Sequence, residues 1–288
     1  TLKLTGEYLN NPPGVVPKVA LSTDLNRNNW QHLDPIKDSV PGMSVDKAYK
    51  ELIKDSEGQT VVVAVLDTGI DIKHEDLKGR IWSNKKEIPG NNIDDDKNGF
   101  VDDVYGWNFL GEAYYEQLEL TRLLGKGEDF PEKEDAQKDY DKRLAEARGE
   151  ETLKYYLNYD FKGRTTGDDP DNFEQTYYGD NKVEHSREDE SHGTHVAGII
   201  AAARNNNLGM KGVANNVEIM TLRVVPYGDE YDKDVALGII YAADNGADII
   251  NTSFGKGFSP HSDKVRDAIA YAASKNVLIV NAAGNDNN

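Results

Sequence analysis

Four short blocks of this sequence carry residue types suited to bond-breaking chemistry. In the first, the apolar run Val61-Val62-Val63-Ala64-Val65-Leu66 leads into Asp67-Thr68-Gly69-Ile70-Asp71. A buried strand of this kind delivers Asp67 at its carboxyl end, where open α/β sheets place their active sites. An aspartate there also suits a magnesium site, a ribose, or a turn in which it bonds local amides. In the second block, Ser191-His192-Gly193-Thr194-His195-Val196-Ala197-Gly198, small residues open an apolar helix and Gly193 leaves room beside His192. A histidine at that place suits proton transfer, although a lone histidine is more often structural. His192 and His195 are three apart with no glutamate between them, unlike the zinc pattern His-Glu-x-x-His.

The third block is Val280-Asn281-Ala282-Ala283-Gly284-Asn285, a strand that ends in small residues and then presents an amide. Such an amide can donate to the negative oxygen formed when a peptide carbonyl is attacked, and Gly-Asn is equally a common turn pair. In the fourth, Ile249-Ile250-Asn251-Thr252 runs into Ser253-Phe254-Gly255. That edge suits an extended peptide, whose main chain supplies affinity independent of its sequence.

A fifth block points to calcium. Asp94, Asp96, Asn98, the Phe100 carbonyl and Asp102 follow the early ligands of an EF-hand loop, with Gly99 at the sixth position. Tyr105 occupies the twelfth position, where the usual bidentate glutamate is missing; Asp103 is the substitute in a variant loop. The other reading is a solvated acidic turn.

The elements that must position these residues show in the periodicity. Strands are predicted at Val61 to Leu66, Glu218 to Val224, Asp248 to Asn251 and Val277 to Asn281, and helices at His192 to Ala203, Lys233 to Asn245 and Asp263 to Lys275. Short, nearly continuous apolar strands alternating with helices predict an α/β fold with a mainly parallel, doubly wound sheet. Residues 1–55 read as a lead-in packing on the domain: Pro12-Pro13-Gly14, Asp34-Pro35 and Pro41-Gly42 mark turns, and Ser44 is placed to cap a short helix. Residues 56–288 read as the main domain, interrupted at about 104–190 by a charged insertion. It is far longer than a usual connection of about 4–6 residues. One surface helix is expected in it, with Tyr140, Leu144 and Ala147 on one side. The insertion reads either as a solvated excursion or as a flap near a substrate cleft.

Composition narrows the classes. Of 288 residues, 29% are charged and the net charge is −18, which disfavours nucleic acid and anionic membranes as partners. No apolar run approaches the ~18 residues of a membrane span. Cysteine is absent, so neither a disulfide nor a thiolate nucleophile operates. No basic-then-apolar leader opens the sequence at Thr1, so export is not legible from these residues. Oligomeric state is equally illegible.

Val-Leu-Asp-Thr-Gly-Ile-Asp, His-Gly-Thr-His-Val-Ala-Gly and Ala-Ala-Gly-Asn, in that order, resemble the aspartate, histidine and oxyanion blocks of the subtilisin-like serine proteases. The resemblance runs from about Val61 to Asn285. It implies a three-layer α/β/α fold, incomplete at the C-terminus, from an endopeptidase that hydrolyses peptide bonds through an Asp-His-Ser triad. It assigns orientation of His192 to Asp67, proton transfer to His192 and oxyanion donation to Asn285. Ser253, Phe254 and Gly255 match the segment that pairs with substrate. Ala282, Ala283 and Gly284 match a wall of the specificity pocket, with room for a large apolar side chain. Asp76 and Asn206 match side-chain ligands of the strong calcium site, completed by carbonyls of Arg204, Leu208 and Met210. The resemblance also favours a secreted or cell-envelope location.

The family's Gly-Thr-Ser-Met-Ala-type segment is not found in these 288 residues. Ser191 and Ser253 match positions with other roles, so this polypeptide is expected to be inactive alone. Two rival classes are a non-catalytic, calcium-stabilised peptide-binding module or pseudoprotease, and a nucleotide-binding α/β protein. The latter lacks a glycine-rich phosphate loop after Leu66.

Overall fold

A computed structural model describes residues 29–54, 58–185, 187 and 189–285. The Pro12-Pro13-Gly14 turn and the boundary proposed near residue 55 lie outside the described residues. The strands are β1 (Val61–Asp67), β2 (Gly106–Asn108), β3 (Val217–Arg223), β4 (Ile249–Thr252) and β5 (Leu278–Asn281). The α-helices are α1 (Val45–Ala48), α2 (Glu119–Gly125), α3 (Lys133–Glu146), α4 (His192–Ala201), α5 (Asp232–Asp244) and α6 (Ser262–Ser274). Among the described residues, no helix is long and apolar enough to cross a membrane.

The five strands form one sheet in the order β2-β3-β1-β4-β5, with every pairing parallel. Parallel neighbours require crossover connections, and buried sheets of this type draw on β-branched residues with no polar alternation. Val63, Ala64, Val65 and Leu66 of β1, the middle strand, are 5% exposed or less. Its side chains divide between two cores. Ala64 and Leu66 pack with Met220, Leu222, Ile239, Ala242 and Ile250 on the α5/α6 face. Val63 and Val65 pack with Ile70, Ala197, Ala201 and Ile219 on the α4 face. The sheet thus lies between two helical layers, the α/β arrangement expected of the sequence.

β1, β4 and β5 all run the same way, so Asp67, Thr252 and Asn281 end at one edge of the sheet. The Ala282 amide donates to the Thr252 carbonyl at 3.0 Å, and Thr252 Oγ1 donates to Asn281 Oδ1 at 2.7 Å. These bonds hold together the two strand ends that lead into the candidate binding segments.

Three local expectations need correction. Ser44 does not cap α1: its φ is 60° and its hydroxyl donates to Asp34 Oδ2 at 3.1 Å, because Asp34 also gathers Lys47 and two amides. α3 forms, but it buries Ala136 and Tyr140 while Leu144 is 45% exposed. The charged stretch also supplies β2, whose three residues the apolar-run criterion passes over. Many of its charges are buried in pairs: Arg164 bonds Asp168 and Asp234 at 2.8 Å, and Arg122 bonds Asp171 at 2.7 Å. The described lead-in docks on the loop after α4, with His32 Nε2 2.8 Å from the Lys211 carbonyl and Tyr49 donating to the Val213 carbonyl at 3.1 Å.

Candidate active site

Asp67 is the last residue of β1 and is 1% exposed. A carboxylate so buried needs donors, and two are present. The Thr68 amide donates to Oδ1 at 2.8 Å, and His192 Nδ1 lies 2.8 Å from Oδ1 and 3.0 Å from Oδ2. The imidazole is half exposed, so one edge is held by the protein while the other is open to solvent. With Nδ1 engaged on a carboxylate, Nε2 is the nitrogen available to take a proton.

The approach of α4 to the β1 turn explains the small residues. A Cβ at Gly193 would run into the carbonyl oxygen of Gly69 and would lie 3.2 Å from Asp67 Oδ1. Gly69 has φ +114°, a conformation that glycine tolerates. Thr194 Oγ1 then accepts from the Asp71 amide at 2.9 Å, fastening the helix start to the turn.

All of Ser253, Phe254, Gly255, Ala282, Ala283, Gly284 and Asn285 line one cleft of about 690 Å³. His192 and His195 line a second cavity of about 560 Å³ with Ser191 and Tyr227. The segment 227–229 joins them, since Tyr227 lines the second and Asp229 the first. Asp67 is buried behind His192 and lines neither.

The candidate calcium residues divide into two groups. Asp94 and Asp96 bring carboxylate oxygens within 4.8 Å of each other and of Glu87. Gly99 has φ +97°, and the Asp94 carboxylate accepts its amide at 2.8 Å, as the sixth position of such a loop requires. Asn98 donates to Asp103 at 2.8 Å, and Asp103 is fully buried against Asn84 and Tyr241. Burial pushes the Asp103 carboxyl up, although the bonds from Tyr241, Asn98 and Asn84 oppose this. Asp102 instead ties down the preceding turn, where its oxygens accept the amides of Gly90, Asn91 and Asn92 at 2.7–3.2 Å. The Phe100 ring packs edge-on against Trp107, Tyr177 and Tyr241. Elsewhere, Asp76 and Asn206 meet directly, with Asn206 Nδ2 donating to Asp76 Oδ1 at 2.6 Å.

A sequence model of the subtilase family matches residues 58–288. The chain belongs to the subtilase family. Among its relatives, a thermophilic serine proteinase of Bacillus sp. (strain AK1) is 44% identical over 97 residues, covering 33% of this chain and 24% of that protein. Thermitase of Thermoactinomyces vulgaris is 42% identical over 98 residues, 34% of each. Subtilisin-like protease 1 of Plasmodium falciparum (isolate 3D7) is 26% identical over 241 residues, 82% of this chain and 24% of that protein. The chain therefore spans about a quarter to a third of the length of these relatives. Of solved structures, MycP1 from the ESX-1 type VII secretion system aligns with a TM-score of 0.45 and 17% identity, over 95% of this chain and 50% of that one. The nisin leader peptidase NisP from Lactococcus lactis gives 0.40 and 19%, over 90% and 51%.

Several residues of this subtilase site are not singled out by sequence. Arg223, across the β1–β3 register from Asp67, is 1% exposed. Its Nε donates to the Thr68 carbonyl and one Nη to Glu190 Oε1, both at 2.8 Å. The available signal is a lone cation inside the apolar run Met220-Thr221-Leu222-Arg223-Val224-Val225. Glu87 joins Asp94 and Asp96 from outside the loop, and no spacing rule reveals it.

Proposed function

We propose that this subtilase chain carries the aspartate, histidine and oxyanion asparagine of a serine endopeptidase that cleaves peptide bonds in proteins. The observation that carries the reading is the 2.8 Å contact between His192 Nδ1 and buried Asp67. In this mechanism Asp67 fixes the imidazole tautomer and stabilises its protonated form. His192 takes the proton of a serine hydroxyl as that oxygen attacks the carbonyl carbon, then returns it to the leaving amine. Asn285 donates to the oxyanion. An extended peptide lies along Ser253–Gly255, and its side chain enters the cleft beside Ala282, Ala283 and Gly284.

No Gly-Thr-Ser-Met-Ala-type segment occurs among these 288 residues, so on this reading the chain alone is inactive. A fluorophosphonate probe separates the possibilities. The full-length protein should be labelled at one serine, and the 288-residue chain at none. Labelling of Ser191 or Ser253 would overturn the assignment, and an unlabelled, non-hydrolysing full-length protein would make it a pseudoprotease that only binds peptides.

Calcium is the proposed ion. Glu87, Asp94 and Asp96 offer only carboxylate oxygens, a donor set that favours hard cations over zinc or copper. Asp76 and Asn206 would hold a second ion. Bound calcium would stabilise the fold by mass action. With the relatives being proteases of this family, a secreted or cell-envelope location accompanies the proposal.

A further inference from the structure

Segment 227–234 borders both cavities of the candidate site. Tyr227 lines the cavity of His192, and Asp229 lines the cleft that holds Ser253–Gly255. It belongs to no strand or helix until α5 begins at Asp232, so other contacts must fix its path.

The charged stretch between β2 and α4 supplies those contacts. The Glu116 amide donates to the Tyr227 carbonyl at 2.7 Å and the Tyr227 amide to the Tyr114 carbonyl at 2.8 Å, as in a parallel strand pair. The Glu119 amide donates to Asp229 Oδ2 at 2.8 Å. The two backbones run so close that a Cβ at Gly228 would lie 2.2 Å from the Glu116 carbonyl oxygen.

Past Asp229, charges take over. Tyr231 is buried, and the guanidinium groups of Arg122 and Arg164 lie 5.2 and 4.9 Å from its ring centroid. Lys233 and Asp234 are fully buried. Lys233 Nζ donates to Asp168 Oδ2 at 2.6 Å, while Asp234 accepts two bonds from Arg164 at 2.8 and 2.9 Å. Arg164 also donates two bonds to Asp168, both at 2.8 Å. These four charges hold one arrangement, because a shift of any one strands a buried partner. On the other side, Asp232 accepts from Ser259 Oγ at 2.8 Å and pairs with Lys256 at 3.1 Å, which ties the segment to the chain after Gly255.

Resting on the protease reading, we propose that Arg164 and Asp168 are positioning residues: they lock segment 227–234 at a set distance from Ser253–Gly255 and so preform the groove for an extended peptide. The charged stretch is then a scaffold for the cleft and not a flap that closes over it. A preformed groove avoids the cost of ordering a loop on binding. The benefit goes to peptides long enough to reach Asp229, not to a substrate confined to the neighbourhood of His192.

The test uses the full-length enzyme with two substrates, a fluorogenic peptide with several residues before the cleaved bond and a short ester carrying one residue. Arg164→Met should lower the peptide-to-ester ratio of kcat/KM by roughly 10-fold or more, mainly through a higher KM for the peptide. Arg164→Lys, which keeps the charge without the two-pronged contact, should fall between Met and wild type. If Arg164→Met does not fold, Asp168→Asn, which keeps the shape, should shift the ratio less and in the same direction. Amide hydrogen exchange in 227–231 should quicken in these variants while β1 and β3 stay protected. A general loss of stability would instead lower activity on both substrates and raise exchange throughout. An unchanged ratio in folded variants would overturn this proposal alone, whatever the exchange. A wild-type protein that cleaves neither substrate and resists fluorophosphonate would overturn the protease reading, and this role with it.

Discussion

Arg223 Nη2 lies 2.8 Å from Glu190 Oε1, and neither side chain is more than 1% exposed. The pair joins the end of β3 to the residue just before Ser191 and His192. The same guanidinium grips the carbonyls of Thr68, Gly111 and Ala113 at 2.8–3.0 Å. One cation thus braces the turn after Asp67, the entry to the histidine helix and the charged stretch. Breaking a buried pair strands a charge, at a cost of about 3–5 kcal/mol. Arg223→Ala should lower denaturant stability by that order. Glu190→Gln, which keeps a hydrogen-bond acceptor, should cost less. Equal stability of Arg223→Ala and wild type would refute the bracing role.

The Asp67–His192 contact gives a catalytic prediction. Asp67→Asn removes the charge and favours the wrong tautomer, and comparable changes cost about 10⁴-fold in kcat. In the full-length protein, peptide hydrolysis should fall on that scale, with fluorophosphonate labelling slowed in parallel. Retention of activity within a few-fold would remove Asp67 from the machinery.

Close approach at α4 predicts a steric defect. Gly193→Ala puts a methyl group against the Gly69 carbonyl, which is backbone and cannot rotate away. Overpacking of this kind costs about 1–3 kcal/mol. Thermal melts should show the loss, and activity should fall further because the helix that carries His192 must shift.

Glu230 gives a pH signature. Burial, aided by the neighbouring Asp229 and Asp232, outweighs the attraction of Lys256 and pushes its carboxyl up to about 7. Its folded pKa is above the unfolded value, so its stabilising contribution is complete below about 4.5 and is lost as pH rises through 7. The loss is on the order of 3 kcal/mol. Glu230→Gln should flatten the decline in melting temperature between pH 5 and pH 8. An identical decline in both proteins would exclude this origin.

Chelation should lower the melting temperature. A site filled at about 100 times its Kd contributes about 2.7 kcal/mol. Excess chelator should remove it, added calcium should restore it, and Asp94→Asn should weaken the response. An unchanged melt, with no metal in elemental analysis, would rule against both calcium sites.

Local sequence is enough for the central strands, the main helices and the residues at their ends. Those features follow from apolar periodicity and from small residues where backbones touch, which are properties of neighbours along the chain. β2 is not legible, because Gly106-Trp107-Asn108 is too short for a pattern and becomes a strand only by pairing with β3. The Ser44 cap fails for a related reason: Asp34, ten residues away, captures the hydroxyl. Glu87 beside Asp94, Arg223 beneath the Asp67 turn, and Arg143 in one cleft with Ala282 all depend on the approach of distant segments. Charge on a helix reads the same in sequence whether it faces water or a cleft. Only the packing of that helix on its neighbours decides which, because burial and partners are fixed by three-dimensional approach.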